Sequence, residues 1–298
     1  MNSENDGVKS RNGKNGGQIS SSKFGVLRKP KPHRWRVANG DERSGVAWWV
    51  FPILFLTGLV AGGVDAIAGG GGLLTVPALL SVGLPVPVAL GTNKLQSSCG
   101  TALATWLFAR AGLLRLPGLV WGLGSTLIGA LIGAALIAHL DPAWLRRVLP
   151  ILLIVMATYT WLKPDLGSER RTARLSPPWF GILAGLILGG YDGFFGPGTG
   201  SFWMLASVVL LGLDLRQATG WTKAMNLTSN LASLAVFLAH GQVAWGIGLT
   251  MATGQLVGAR IGSGLVLHRG SRLIRPVFLT VVLALAAKLA FDAYQRSA

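Results

Sequence analysis

Asp65, Lys94, Asp192 and Lys223 are ionisable side chains inside stretches that are otherwise apolar. A charge withdrawn from water is costly and persists where it is paired or has work to do. Each aspartate leads into a glycine run. The first reads Gly62-Gly63-Val64-Asp65-Ala66-Ile67-Ala68-Gly69-Gly70-Gly71-Gly72, the second Gly189-Gly190-Tyr191-Asp192-Gly193-Phe194-Phe195-Gly196-Pro197-Gly198-Thr199-Gly200. Such runs interrupt a helix, and N–H groups freed where it restarts can hold an anion without any side chain. Gly71 and Gly72 are candidates in the first run, and Gly198, Thr199 and Gly200 in the second. Close helix crossing is the other use of these glycines.

Lys94 lies deep enough in its segment to approach the middle of a ~30 Å hydrocarbon core at ~1.5 Å per residue, and Lys223 holds the matching place in the second half. Both fit as countercharges for an anionic ligand, with Thr92, Asn93, Thr222 and Asn226 as neutral hydrogen-bonding neighbours. The alternative for a lysine is to snorkel to the interface. Asp65 and Asp192 either pair statically with the lysines or take up protons, which makes a proton the candidate coupling ion. Arg260 faces Leu131 in the other half and so breaks the internal symmetry; substrate contact and snorkelling are its two readings. Gln96, Ser97, Ser98, Asn230 and Gln255 read as hydrogen bonds between helices. The four histidines have no metal-ligand spacing, no nucleophile triad is implied, and neither glycine run carries the Lys-Ser/Thr of a phosphate loop. An enzyme and a bound cofactor are not expected.

The elements that carry these residues are long apolar runs. The chain is 51% hydrophobic and 13% charged, with 42 glycines, the composition of a polytopic membrane protein in contact with a lipid bilayer. Its net charge of +16 does not point to nucleic acid, because ten of the 27 basic residues precede Val46 and many others flank apolar runs. A single cysteine, Cys99, rules out an intramolecular disulfide.

Residues 1–45 are expected to form a disordered basic cytoplasmic tail, with no cleaved signal. The first transmembrane repeat spans 46–163, a polar linker 164–178, and the second repeat 179–298. Within the first, 46–83 has the length of two half-width pieces around the glycines plus a full-width one, followed by segments 88–109, 117–138 and 144–161. In the second, the segments are 179–213, 217–239, 243–267 and 276–294. At a shift of 127 Asp65 meets Asp192; at 129 Lys94 meets Lys223, and Gly129 and Gly133 meet Gly258 and Gly262. This is an internal duplication of all-α type, about eight transmembrane helices in two homologous halves with Gly-rich broken or re-entrant helices. Four crossings per half would make the repeats parallel, and three around a re-entrant hairpin would invert them. The linker's Arg170, Arg171 and Arg174 favour four, with both termini cytoplasmic.

The stretch 58–94, with its glycine run, Val76-Pro77 and Gly91-Thr92-Asn93-Lys94, resembles the sulfite exporter TauE/SafE family of membrane transporters. The second half, from Tyr191-Asp192-Gly193 through Gly198-Thr199-Gly200-Ser201-Phe202 to Thr222-Lys223 and Asn226, is similar to one subfamily of it. The resemblance implies a plasma-membrane secondary transporter of small sulfur-containing or organic anions such as sulfite or sulfonates, with export the first expectation. Its partner is then a small anion, enclosed between two moving repeats. An anion-binding receptor or scaffold without transport is the alternative. The oligomeric state is left open, a homodimer included.

Overall fold

Breaks in the apolar runs, rather than their composition, decide where helices start and stop. The computed structural model describes residues 48–114, 117–136, 170–270, 272–274, 276–280 and 283. The basic tail, segment 144–161, the first part of the linker and most of segment 276–294 lie outside the described residues. The described chain is all-α: α1 Val50–Ala68, α2 Gly72–Ser81, α3 Val86–Arg110, α4 Leu119–Leu136, α5 Pro177–Phe194, α6 Thr199–Leu210, α7 Leu215–Ala239 and α8 Trp245–Arg269. Proline opens α3 and α5, where its missing N–H costs nothing. Asp214 caps α7, its carboxylate accepting the N–H groups of Arg216 and Gln217, each at 2.9 Å.

The glycine runs reverse the chain. Gly69 and Gly70 take φ of 69° and 124°, and Gly196 and Gly198 take 92° and 87°, a region that side chains disfavour. An uninterrupted helix would carry Gly71 about 15 Å beyond Ala61. Instead a Cβ on Gly71 would lie 2.8 Å from the Ala61 carbonyl oxygen, so α2 turns back beside α1. At the far end of α2, Leu79 packs in one cluster with Val50 and Leu54 at the start of α1. Residues 46–83 therefore hold one full-length and one half-length helix, of 19 and 10 residues, and not two half-width pieces plus a third. The second half repeats the pattern with 18 and 12 residues in α5 and α6.

The fold-back also sets the relation of the halves. The Val50, Leu54 and Leu79 cluster includes Val88 at the start of α3 and Ala244 and Ile247 at the start of α8, which marks one end of the bundle. At the other end, the turn at Gly118 lies against Pro177, where α5 begins, and Leu113 beyond α3 lies against Gly220 near the start of α7. So α1 and α3 begin at one end, α5 and α7 at the opposite one. The halves are inverted, and the parallel arrangement favoured by the linker arginines is overturned. A hairpin returns the chain to the end it left, which changes the parity that the arginines were used to count.

The inverted halves are laced together. Gly58 and Gly62 of α1 lie on Met251 and Gln255 of α8; Gly185 and Gly189 of α5 lie on Ser125 and Thr126 of α4. At the same shifts Gly62 on Gln255 is the equivalent of Gly189 on Thr126, so the first helix of each half packs against the fourth described helix of the other. A missing Cβ lets the backbones approach closely enough for dispersion to hold the crossing.

The pattern of exposure is inside out. Ile53 and Val60 on α1, Val120 on α4 and Ile187 on α5 are exposed, while Thr92, Asn93, Lys94, Gln96, Ser97 and Ser98 on α3 are buried. Among the described residues α1 and α4 are long and apolar enough to cross a bilayer. Helices α3, α7 and α8 have 25 residues each, with polar groups on their inner faces.

Candidate functional site

The two lysine-bearing helices run antiparallel, and each lysine reaches the aspartate of the opposite half. Lys94 Nζ lies 3.0 Å from Asp192 Oδ1, and Lys223 Nζ lies 2.9 Å from Asp65 Oδ2. Lys94 is 2% exposed and Lys223 fully buried, so each charge is compensated where water is excluded. The remaining valences are met differently. Asp65 Oδ1 accepts the N–H groups of Gly70 at 3.2 Å and Gly71 at 3.3 Å, which ties the first break to the helix before it. Asp192 accepts the hydroxyl of Thr199 at 3.0 Å and that of Ser229, while Lys94 also donates to Asn230 Oδ1 at 3.2 Å.

The two breaks meet. A Cβ on Gly200 would lie 2.7 Å from Gly69 Cα, and the Ser201 hydroxyl donates to the Gly69 carbonyl at 2.9 Å. The Tyr191 hydroxyl pins the second break by donating to the Pro197 carbonyl at 2.6 Å. Between breaks and lysine helices is a polar cavity lined by Asp65, Gly70, Gly72, Asn93, Lys94, Ser97, Asp192, Gly196, Gly198, Thr199, Gly200, Asn226 and Asn230. The centre of a water-sized sphere can move through about 20 Å³ of it, room for one water. In this conformation the charges of the site are paired with one another.

Asp65, Gly72, Asn93, Lys94, Asp192, Gly198, Thr199, Gly200 and Asn226 border that cavity, as the sequence grouped them. Five other expected residues stand elsewhere. The N–H of Gly71 is taken by Asp65. Thr92 Oγ1 accepts the Ala244 N–H at 2.9 Å and so secures the start of α8. Thr222 and Lys223 are buried behind the lining. Arg260 is exposed on the outer side of α8, away from the cavity, which corrects the reading of it as a substrate contact. Replacing Arg260 by alanine is expected to change transport by no more than about twofold, as for a surface substitution of ~0.5 kcal/mol, measured as initial flux in proteoliposomes.

Ser97, Asn230, Ser229, Gly70 and Gly196 belong to the site as well. From the sequence, Ser97 and Asn230 read as helix contacts, and Ser229 carries no reading. Helical spacing carries the signal that finds them, since Ser97 lies four residues after Asn93, and Asn230 four after Asn226.

Comparison with known proteins identifies the family. The family described as sulfite exporter TauE/SafE matches residues 54–289. A probable membrane transporter protein of Haemophilus influenzae is 45% identical over 240 residues, covering 80% of this chain and 94% of its own. The probable membrane transporter protein YfcA of Escherichia coli is 43% identical over 242 residues, 81% and 90% of the two chains. A third, from Sinorhizobium, is 40% identical over 247 residues, 83% and 95% of the two. No solved structure matches. A match across most of the chain, with the inverted bundle and its buried crossed charges, means that the protein belongs to the sulfite exporter TauE/SafE family of membrane transporters.

Proposed function

We propose that this protein is a secondary transporter of small sulfur-containing or organic anions, sulfite or sulfonates foremost, working in the cell membrane by alternating access with both termini in the cytoplasm. The observation that carries the reading is the exchange of ion pairs between halves around a polar cavity where two helix breaks meet. The two ion pairs balance the buried charge, and amide and hydroxyl groups of Asn93, Ser97, Asn226 and Asn230 on the cavity wall replace the water that a small oxyanion loses. Each pair spans the inverted halves, so movement of one half against the other must rearrange the charges that contact the ligand. The cavity as it stands has room for one water, less than a sulfite needs. A substrate anion then enters by separating the halves.

Proteoliposome counterflow tests the reading against an anion-binding receptor. Vesicles loaded with unlabelled sulfite should accumulate radiolabelled sulfite transiently above equilibrium, and methanesulfonate should compete. Binding without counterflow would favour the receptor and sink the carrier.

A further inference from the structure

The two crossed ion pairs are equivalent by internal symmetry and inequivalent in chemistry, and on the anion-transport reading this difference gives them separate duties. Around Asp192, donors converge from three helices: Lys94 Nζ of α3 at 3.0 Å, the Ser229 hydroxyl of α7, and Thr199 Oγ1 of α6 at 3.0 Å, whose single proton is shared with the Gly196 carbonyl at 2.6 Å. One cation and two hydroxyls arranged around two anionic oxygens are what a small oxyanion needs once its water is removed. Both Lys94 and Asp192 border the cavity.

Around Asp65 the same places are empty of hydroxyls. The residues matching Thr199 and Ser229 are Gly72 and Gly100, and the carboxylate is held by the backbone of its own break and by Lys223. Lys223 is sealed from the cavity. Removing Asp65 from its partners would release the first break, whereas removing Asp192 frees a complete set of oxyanion donors.

We propose that the Asp192 carboxylate is a tethered stand-in for the substrate: it fills the donor set of Lys94, Thr199 and Ser229 in the empty carrier and is displaced from it by the incoming oxyanion. The pair of Asp65 with Lys223 stays intact and holds the first break folded. The arrangement keeps Lys94 compensated when no ligand is present, and the returning carboxylate expels the anion at the end of the cycle.

The test uses the full chain in detergent, with equilibrium binding of radiolabelled sulfite and the thermal unfolding midpoint as readouts. Asp192→Asn removes the competing charge and is expected to bind sulfite about tenfold more tightly than the wild type, with a larger sulfite-dependent rise in midpoint. Asp65→Asn should lower the midpoint and bind sulfite no more tightly. Should Asp192→Asn fail to fold, Thr199→Val keeps the ion pair and should weaken sulfite binding about tenfold, because the hydroxyl is shared by carboxylate and substrate. Unchanged affinity in Asp192→Asn, an equal gain in Asp65→Asn, or unchanged affinity in Thr199→Val would overturn the stand-in while leaving anion transport standing. Absence of binding of sulfite, methanesulfonate and acetate by the wild type and every variant would remove the anion reading itself, and the stand-in with it.

Discussion

Replacing Lys94 by methionine is expected to abolish transport and to destabilise the folded protein by about 3–5 kcal/mol, the cost of leaving one member of a buried pair without its partner. The stranded charge is Asp192, which keeps only the Thr199 and Ser229 hydroxyls as donors. Flux and stability separate in a double variant. Lys94→Met with Asp192→Leu leaves no uncompensated charge and should recover much of the lost stability, while transport stays absent because the cation that meets the substrate is gone. Flux in proteoliposomes and thermal unfolding in detergent read the two effects. Wild-type flux in the single variant would eliminate Lys94 as a ligand. Non-additivity of the two stability changes measures the coupling directly.

The second large effect is expected at the helix crossings. A Cβ on Gly133 would come closer than 3.0 Å to the Gly190 carbonyl oxygen, and one on Gly258 closer than 3.0 Å to the Leu59 carbonyl oxygen. Those neighbours are backbone and cannot swing aside, so the helices must part along their length. Gly133→Ala and Gly258→Ala should each cost about 3 kcal/mol, the upper range for overpacking. Gly124, also in α4, has open space where a Cβ would go. Gly124→Ala should therefore be neutral or stabilising by up to about 1 kcal/mol, through helix propensity. Thermal midpoints of the three variants provide the comparison. Equal effects would mean that glycine acts here through flexibility and not through close approach.

Both experiments rest on the crossed architecture, which also explains the size of the cavity. The breaks approach closely at Gly69 and Gly200, and the cavity beside them has room for one water. The Ser201 hydroxyl on the Gly69 carbonyl spans that contact. The groups on either side of that contact thus belong to different halves.

Much of this was legible in the residues themselves. Few charges in long apolar runs identify a membrane protein, the repeated aspartate and lysine at matching registers read as a duplication, and glycine runs after each aspartate locate the breaks, because no other residue takes their φ values cheaply. Partner choice was not legible: Asp65 with Lys94 and Asp65 with Lys223 are equally compatible with two repeats of the same spacing. Nor was inversion, because charge counting assigns an end to a linker only when the number of passages is known, and the fold-back after Ala68 alters that number. Arg260 looked like a site residue because it had no counterpart, yet the rotation of α8 that buries Gly258 and Gly262 against α1 turns it outward. Sequence determined which groups must leave water and where the backbone must break; tertiary packing decided which groups meet, since contact across inverted halves depends on the direction in which each helix returns and on no local propensity.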